Sequence, residues 1–254
     1  MNAQTPYPLA QPHDPLHEVL PNIYRVRGSV SVRAPFIKYG PLTLSFSRNM
    51  YVVKDHDDLT LINSVRLNEA GMARLSALGK IKNVIRLAGF HGMDDPFYRS
   101  QYGATVYSVD APYTKGMSKA PKPGDIYFQP DVVLTPDSPL PIKNALYTEI
   151  RSATPKDGLL ILHRDKNIMI SGDSFQHWPK PDPLFNVTAK ILMRLAGFFK
   201  ETSIGPGWRN YAKPDIQELI HIANTEFDCL LPGHGEPVLK DASQRFLQRL
   251  QKMR

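Results

Sequence analysis

The strongest constraint on this chain is a set of three short polar loops, each of which follows an apolar strand. The loops are AGFHGMDDPFY (88–98), ISGDSFQHW (170–178) and LLPGHGEPV (230–238). Open sheets usually place their sites on loops at strand ends, and glycine beside a polar residue permits tight turns and close approach. The sequence therefore predicts an α/β fold whose functional side chains lie on these three loops.

Hydrophobic periodicity places the remaining elements around these loops. Alternating and β-branched residues predict an early antiparallel meander, with strands at 19–32, 42–47, 50–53 and 59–63. An amphipathic helix at 68–80 follows, and Gly79 is placed to end it. Later strands are expected at 83–87, 105–108, 145–150, 159–163, 168–171 and 229–231, and later helices at 96–101, 187–199, 214–224 and 241–253, the last with Asp241 as N-cap. Two sheets covered by helices on the outside fit this order.

Composition and charge exclude several classes of protein. The 31 Lys and Arg residues give a net charge of +7 but form no dense basic run, so nucleic acid is not an expected partner. The charge favours an anionic small molecule as substrate or ligand. Arg194 and Lys200 interrupt the most apolar stretch, so no membrane-spanning segment is expected.

The N-terminal residues and the single cysteine indicate a cellular location for the protein. Residues 1–15 lack both the basic start and the apolar core of a secretory signal, and we interpret them as a flexible leader before one domain at 16–254. Cys229 has no partner for an internal disulfide and lies in an apolar run, which favours a buried thiol. We therefore expect a cytoplasmic protein.

Five side chains on the three loops are candidate metal ligands. They are His91, Asp94, Asp95, Asp173 and His234, a mixture of imidazole and carboxylate donors that suits Zn²⁺, Mn²⁺ or Fe²⁺. Each also has a structural interpretation. Histidine and aspartate in tight turns often bond nearby backbone, and at least one of the paired aspartates is expected to cap the helix that follows them.

The same residues, in this order, resemble the metallo-β-lactamase superfamily. The segment HGMDDP (91–96) aligns with the HxHxDH loop of that family, SGD with its bridging aspartate and PGHG with its last histidine. The resemblance covers roughly residue 19 to the C-terminus and implies a four-layer αββα sandwich. It also implies that His91, Asp95, Asp173 and His234 occupy metal-ligand positions.

This chain departs from the family pattern at three other ligand positions. Met93 and Pro96 stand where the family has histidines, and 150–158 contains no histidine where a TPGHTPG-like segment is expected. Asn63 also replaces an aspartate. A thioether is a poor ligand for a hard divalent ion and proline offers no side-chain donor, so at most one ion is expected.

Two functions remain open from the sequence. One is a mononuclear metal-dependent hydrolase of an ester-type small molecule, in which Asp95 serves as both ligand and catalytic residue. The other is a non-catalytic, metal-free protein that keeps the fold to bind a ligand or a protein. A helical insert near 179–213 could form a dimer interface under either of these functions. Within the insert, one face of 192–199 could pack in the core, or against a partner or a membrane.

His177 and the segment around Trp208 and Arg209 are weaker candidates. His177 lies four residues after Asp173 and could replace a lost ligand, although a histidine beside Trp178 more often packs or forms a hydrogen bond. The segment IGPGWRNY could close over a substrate, but a connecting role is favoured.

Overall fold

The structure, a computed structural model, describes residues 7–33, 43–114 and 121–253. Strands and helices are numbered in chain order. The strands are β1 (His17–Leu20), β2 (Ile23–Arg33), β3 (Thr43–Asp55), β4 (Asp58–Ile62), β5 (Lys80–Arg86), β6 (Thr105–Ser108), β7 (Tyr113–Thr114), β8 (Ile126–Phe128), β9 (Val132–Val133), β10 (Ala145–Ile150), β11 (Asp157–His163), β12 (Asn167–Ser171), β13 (Phe175–Gln176), β14 (Ser203–Ile204) and β15 (Cys229–Leu231). The helices are α1 (Glu69–Leu78), α2 (Asp95–Tyr102), α3 (Val187–Leu195), α4 (Pro206–Ala212), α5 (Ile216–Ala223) and α6 (Ala242–Gln251), with a 3₁₀ turn at Pro123–Asp125.

Two larger sheets form the centre of the molecule. The first has the order β1-β2-β3-β4-β5-β6-β9, antiparallel from β1 to β4 and parallel from β4 to β9. The second has the order β10-β11-β12-β15, and its last pair is parallel. Because β12 and β15 run side by side in the same direction, the loops that follow them leave the sheet at the same edge.

The sheets pack face to face and helices cover both outer faces. Tyr51 and Ile85 of the first sheet share one apolar cluster with Leu160 and Leu231 of the second. The other face of the first sheet packs against α1 and α2. The other face of the second sheet packs against α4, α5 and α6. This is the αββα sandwich that the sequence predicts. No helix in the described ranges is long and apolar enough to cross a membrane.

Most predicted elements are present, with differences at their ends. The stretch 19–32 is divided by a turn in which Asn22 has φ 61°, and the strands predicted at 42–47 and 50–53 form one strand, β3. Helix α3 ends at Leu195 rather than at 199, since Gly197, two residues further on, has φ 72°. Asp241 is the N-cap residue of α6, as predicted, although it has φ 52° and its side chain makes no capping hydrogen bond.

The N-terminal stretch is bonded to β2 and to the residue before α1 where the structure describes it. Asp14 forms an ion pair with Arg27 at 2.6 Å, and His13 Nε2 accepts the backbone N–H of Asn68 at 2.9 Å. Residues 1–6 lie outside the described part. The division into a leader at 1–15 and one domain at 16–254 stays a prediction.

Candidate metal centre

Three strand ends bring the three polar loops to one place. The loops after β12 and β15 are neighbours through the pairing of Ile170 with Leu231. The loop after β5 belongs to the other sheet, and a bridge between Ala88 and Asp157 joins it to the second sheet. Residues far apart in the sequence therefore meet at one edge of the sandwich.

His91, Asp173 and His234 present three donor atoms to one point. His91 Nε2 lies 3.1 Å from His234 Nε2 and 3.2 Å from Asp173 Oδ1, and His234 Nε2 lies 2.9 Å from the same oxygen. All three side chains are buried. They form the one group of three or more histidine, cysteine, aspartate or glutamate side chains within the described ranges that could hold a metal ion.

Hydrogen bonding fixes which nitrogen of His234 points into this group. His234 Nδ1 lies 2.8 Å from the carbonyl oxygen of Ser47, which can only accept, so Nδ1 carries the proton. In a neutral imidazole, Nε2 then presents a lone pair to the carboxylate of Asp173. Two acceptors at 2.9 Å require a second proton or a cation between them, which makes this a suitable position for a metal.

The donor set fits one divalent ion. Ligand atoms about 2.0–2.1 Å from a tetrahedral Zn²⁺ lie about 3.3 Å apart, close to the three distances seen here. Two further buried atoms, His91 Nδ1 and Asp173 Oδ2, have no hydrogen-bond partner among the described residues. A set of three protein donors leaves one tetrahedral position open, as in catalytic rather than structural zinc sites.

Burial and the neighbouring rings set the charge of these groups. Burial lowers the pKa of His91, against the opposing effect of the Asp173 carboxylate. Burial alone would raise the pKa of Asp173, but His91 and His234 hold it well below its usual range. The centre therefore contains an ionised carboxylate, which a cation would neutralise.

Asp157, which sequence reasoning missed as a site residue, supports the Asp173 loop from below. Its two carboxylate oxygens accept the backbone N–H groups of Asp173 at 3.0 Å and Ser174 at 2.9 Å. Burial, followed by the charge of Asp173, raises the pKa of Asp157. Gly172 makes this approach possible, because a Cβ there would lie 2.4 Å from Asp157 Oδ1.

The PGHG loop is held by strand β3 and by close backbone packing. Asn49 Nδ2 donates to the carbonyl oxygens of Pro232 at 2.8 Å and Gly235 at 2.7 Å. Gly235 has φ 91°, and a Cβ there would lie 2.1 Å from the carbonyl oxygen of His177. Glycine is therefore required at position 235. The close packing that it permits holds the loop that carries His234.

Arg86 shapes the loop that carries His91. Its fully buried guanidinium donates to the carbonyl oxygens of Ala88 and Gly89, and to those of Ala111 and Pro112 in the segment between β6 and β7. These bonds fix the chain just before His91.

Asp95 and Asp94, the other candidates on this loop, lie outside the cluster of three. Asp95 was expected to ligate the ion, but its two oxygens accept hydrogen bonds from Ser64 Oγ and Tyr113 Oη, each at 2.6 Å. Asp94 forms a buried ion pair with Arg48 and accepts the backbone N–H of Arg66. The structure thus brings together three of the four predicted site residues, and Asp95 instead joins a buried network.

Two of the residues that depart from the family pattern, Pro96 and Asn63, have structural roles here. Pro96 lies in the first turn of α2, where its missing N–H costs little. Asn63, in place of an aspartate, accepts the backbone N–H of Leu87 at 2.9 Å. His177 is not part of the cluster, because its Nδ1 accepts the backbone N–H of Thr202 at 3.0 Å.

Aromatic side chains surround the centre. The ring of His234 lies 5.3 Å from that of Trp178 and 6.0 Å from that of Phe46, measured between centroids. Only 4% of the His91 side chain and 8% of each of the other two are exposed. Trp208, from the segment considered as a lid, lies on α4 and is buried in the core cluster that includes α5, which agrees with the connecting role.

Comparisons with known proteins identify the fold. No family model and no curated protein matches the sequence. Solved structures do match: the metallo-β-lactamase FIM-1 from Pseudomonas aeruginosa, crystallised in a mono-zinc form, is 13% identical, with a TM-score of 0.60 over 97% of this chain and 98% of that one. The metallo-β-lactamase DIM-1 is 12% identical, with a TM-score of 0.59 over 96% and 100%. A metallo-β-lactamase from Hirschia baltica is 12% identical, with a TM-score of 0.51 over 93% and 98%. The chain has the metallo-β-lactamase fold.

Proposed function

We propose that this protein is a hydrolase that holds one divalent ion through His91, Asp173 and His234 and cleaves an ester-type small molecule. The observation that carries the proposal is the triangle of three donor atoms, with sides of 2.9 to 3.2 Å. Two imidazoles and one carboxylate suit Zn²⁺, Mn²⁺ or Fe²⁺. Asp95, bonded to Ser64 and Tyr113, has no ligand role in this proposal.

The chain's own groups divide the work around the ion. A divalent ion in such a site supplies Lewis acidity and an activated water. Asp173 Oδ2, buried and without a partner in the described ranges, would orient such a water by accepting a hydrogen bond from it. Asp157 holds the backbone of Asp173, and the Ser47 carbonyl orients His234. The rings of Trp178 and Phe46 exclude bulk water from one side.

The net charge of +7 supports an anionic substrate, because a positive surface raises the local concentration of anions. Cys229 is a buried free thiol, in keeping with the cytoplasmic location that we propose.

The alternative is a non-catalytic protein that keeps the fold for binding. Two observations favour it: Met93 stands where the family has a second histidine, and the candidate ligands are barely exposed. A hydrolase must bring both water and substrate to these residues, whereas a protein that only binds does not need to activate water there.

Hydrolysis of 4-nitrophenyl acetate and of 4-nitrophenyl phosphate, each with added Zn²⁺, Mn²⁺ or Fe²⁺, tests the proposal. We expect metal-dependent turnover that Asp173→Asn and His234→Asn abolish and that Asp165→Asn, an exposed carboxylate, leaves unchanged. Absence of turnover by folded, metal-loaded protein across ester and phosphoester panels would favour the binding alternative. Turnover that survives Asp173→Asn would refute the assigned site.

A further inference from the structure

Helix α3 carries an apolar stripe on its outer face, defined by Val187, Ile191, Leu192 and Leu195. Val187 is 71% exposed, Ile191 55% and Leu195 80%. These three residues are four apart and therefore lie on one side of the helix. The opposite side, with Ala189 and Met193, is buried against the aromatic cluster that contains Trp178.

Exposed apolar side chains are concentrated on this helix rather than scattered evenly over the surface. Four of the eleven large apolar side chains that are exposed in the described ranges lie on this one nine-residue helix. Val32, 39% exposed, lies on β2 opposite Leu44, next to the place where Asn186 Nδ2 donates to the carbonyl oxygen of Thr43. The exposed apolar surface therefore extends from α3 to the adjoining end of the first sheet.

The surroundings of the stripe are cationic. Residues 183–200 include Lys190, Arg194 and Lys200 and contain no carboxylate. Lys190 and Arg194 are on one flank of the stripe, by the 3.6-residue period of the helix.

A cleft beside α3 extends this cationic surface. It has a volume of about 570 Å³, and Arg27, Lys180 and Lys190 contribute to its lining. Two carboxylates also line it, Asp182 and Glu236, and both are ion-paired with Arg27. The cleft thus offers cationic side chains at the edge of the apolar stripe.

We infer that the apolar stripe of α3 docks on the surface of an anionic phospholipid bilayer. An apolar face flanked by lysine and arginine is the pattern of helices that lie in the membrane interface, where the apolar side chains enter the acyl boundary and the cations contact anionic headgroups. A second copy of this chain is a poorer partner. In an antiparallel pairing of two stripes about a twofold axis, Lys190 and Arg194 of both copies would lie on the same side, with no carboxylate on the helix to balance them.

The docking proposal does not depend on a bound metal or on hydrolysis. It places Trp178, which contacts both His234 and the buried side of α3, directly behind the membrane-facing surface. The centre would then lie close to the lipid interface.

Flotation with vesicles of phosphatidylcholine alone, or mixed with phosphatidylglycerol, tests the proposal on the full chain. We expect the wild type to float with the anionic vesicles and not with the neutral ones, and to be released by high salt. Ile191→Asn with Leu195→Asn should weaken binding by at least roughly tenfold, because it removes the residues that enter the acyl boundary. Lys190→Gln with Arg194→Gln should weaken it by roughly fivefold per cation at low salt.

Leu146→Asn provides the matched control, since Leu146 is 46% exposed on β10, an edge strand of the second sheet. It should float like the wild type. Far-ultraviolet circular dichroism and melting temperature establish that each variant is folded. The proposal is overturned if the wild type does not float, if the stripe variant floats equally well, or if light scattering shows a dimer that the stripe variant disperses while vesicle binding is absent.

Discussion

Asp157 accepts the backbone N–H of Asp173 at 3.0 Å and so fixes the loop that presents the Asp173 carboxylate to His91 and His234. A second bond from Ser174 N to the other oxygen completes the pair. The support is a buried carboxylate beneath the candidate metal centre, which touches the ligand residue only through its backbone.

Replacing Asp157 should therefore weaken metal binding without removing a ligand. Asp157→Asn keeps one acceptor and loses the other, and Asp157→Ala loses both. We expect metal affinity to fall by roughly 10- to 100-fold, as for other groups that orient a ligand, and more for alanine than for asparagine. Competition titration with a chromophoric chelator measures this. Asp165→Asn, in an exposed turn, is the control; equal affinity for Asp157→Ala and wild type would show that the support has no role.

Asp95 should contribute to the free energy of unfolding in a pH-dependent way. Replacing it should leave the metal stoichiometry unchanged. Burial raises the pKa of Asp95, against the opposing effects of Ser64, Tyr113 and Arg86, so this carboxyl holds its proton more firmly in the folded chain than in the unfolded chain. Its contribution to the free energy of unfolding should then be largest at low pH and fall as pH rises from about 4 through the raised pKa.

Asp95→Asn removes this titration, so its urea midpoint should vary less with pH than that of the wild type over that window. Metal content measured on the same samples should match the wild type. Loss of the metal on this substitution would restore Asp95 as a ligand.

Replacing one partner of the buried ion pair between Arg48 and Asp94 should strongly destabilise the protein. Both side chains are at most 5% exposed, and Arg48 also donates to the Ser64 carbonyl oxygen at 2.9 Å. Arg48→Met leaves the Asp94 charge buried and unpaired, and we expect a loss of about 3–5 kcal/mol in the free energy of unfolding. Lys240→Met, which breaks an exposed pair with Asp241, should change it by less than about 1 kcal/mol. Similar losses in the two variants would contradict this account.

Gly235→Ala should distort the loop that carries His234. The residue has φ 91°, and an added Cβ would meet the His177 carbonyl oxygen at 2.1 Å. Backbone strain and a forced shift together should cost about 2–4 kcal/mol by urea unfolding. Gly124→Ala, where an added Cβ meets no atom within 4 Å, is the control. A stable Gly235→Ala protein would mean that the loop has room to move.

The sequence predicted the fold, and it singled out the three residues that the structure brings together because each lies in a local pattern. His91, Asp173 and His234 each follow an apolar strand and sit beside glycine, and the order of their motifs resembles a known family. For the same reason, the predicted bounds of elements such as α1 and β10 agree closely with those in the structure.

The groups that support the centre were harder to predict, because their partners are distant in the chain. Asn49 bonds Gly235 across 186 positions, and Asp157 bonds Asp173 across a strand hairpin. Asp157 lies in 150–158, the segment already singled out for its missing histidine, and this carboxylate was the available signal. The place of Asp95 outside the group of three was not predictable, because its hydrogen-bond partners, Ser64 and Tyr113, come from other elements that no local pattern connects to it.

The central claim is that His91, Asp173 and His234 bind one metal ion, and elemental mass spectrometry of purified, tag-free protein tests it most directly. After incubation with Zn²⁺, Mn²⁺ or Fe²⁺ and desalting, we expect about one equivalent in the wild type and in Asp95→Asn. His91→Ala, Asp173→Ala and His234→Ala should each lose it while remaining folded. No retained metal in well-folded wild-type protein, or one equivalent that survives all three substitutions, would contradict the assignment.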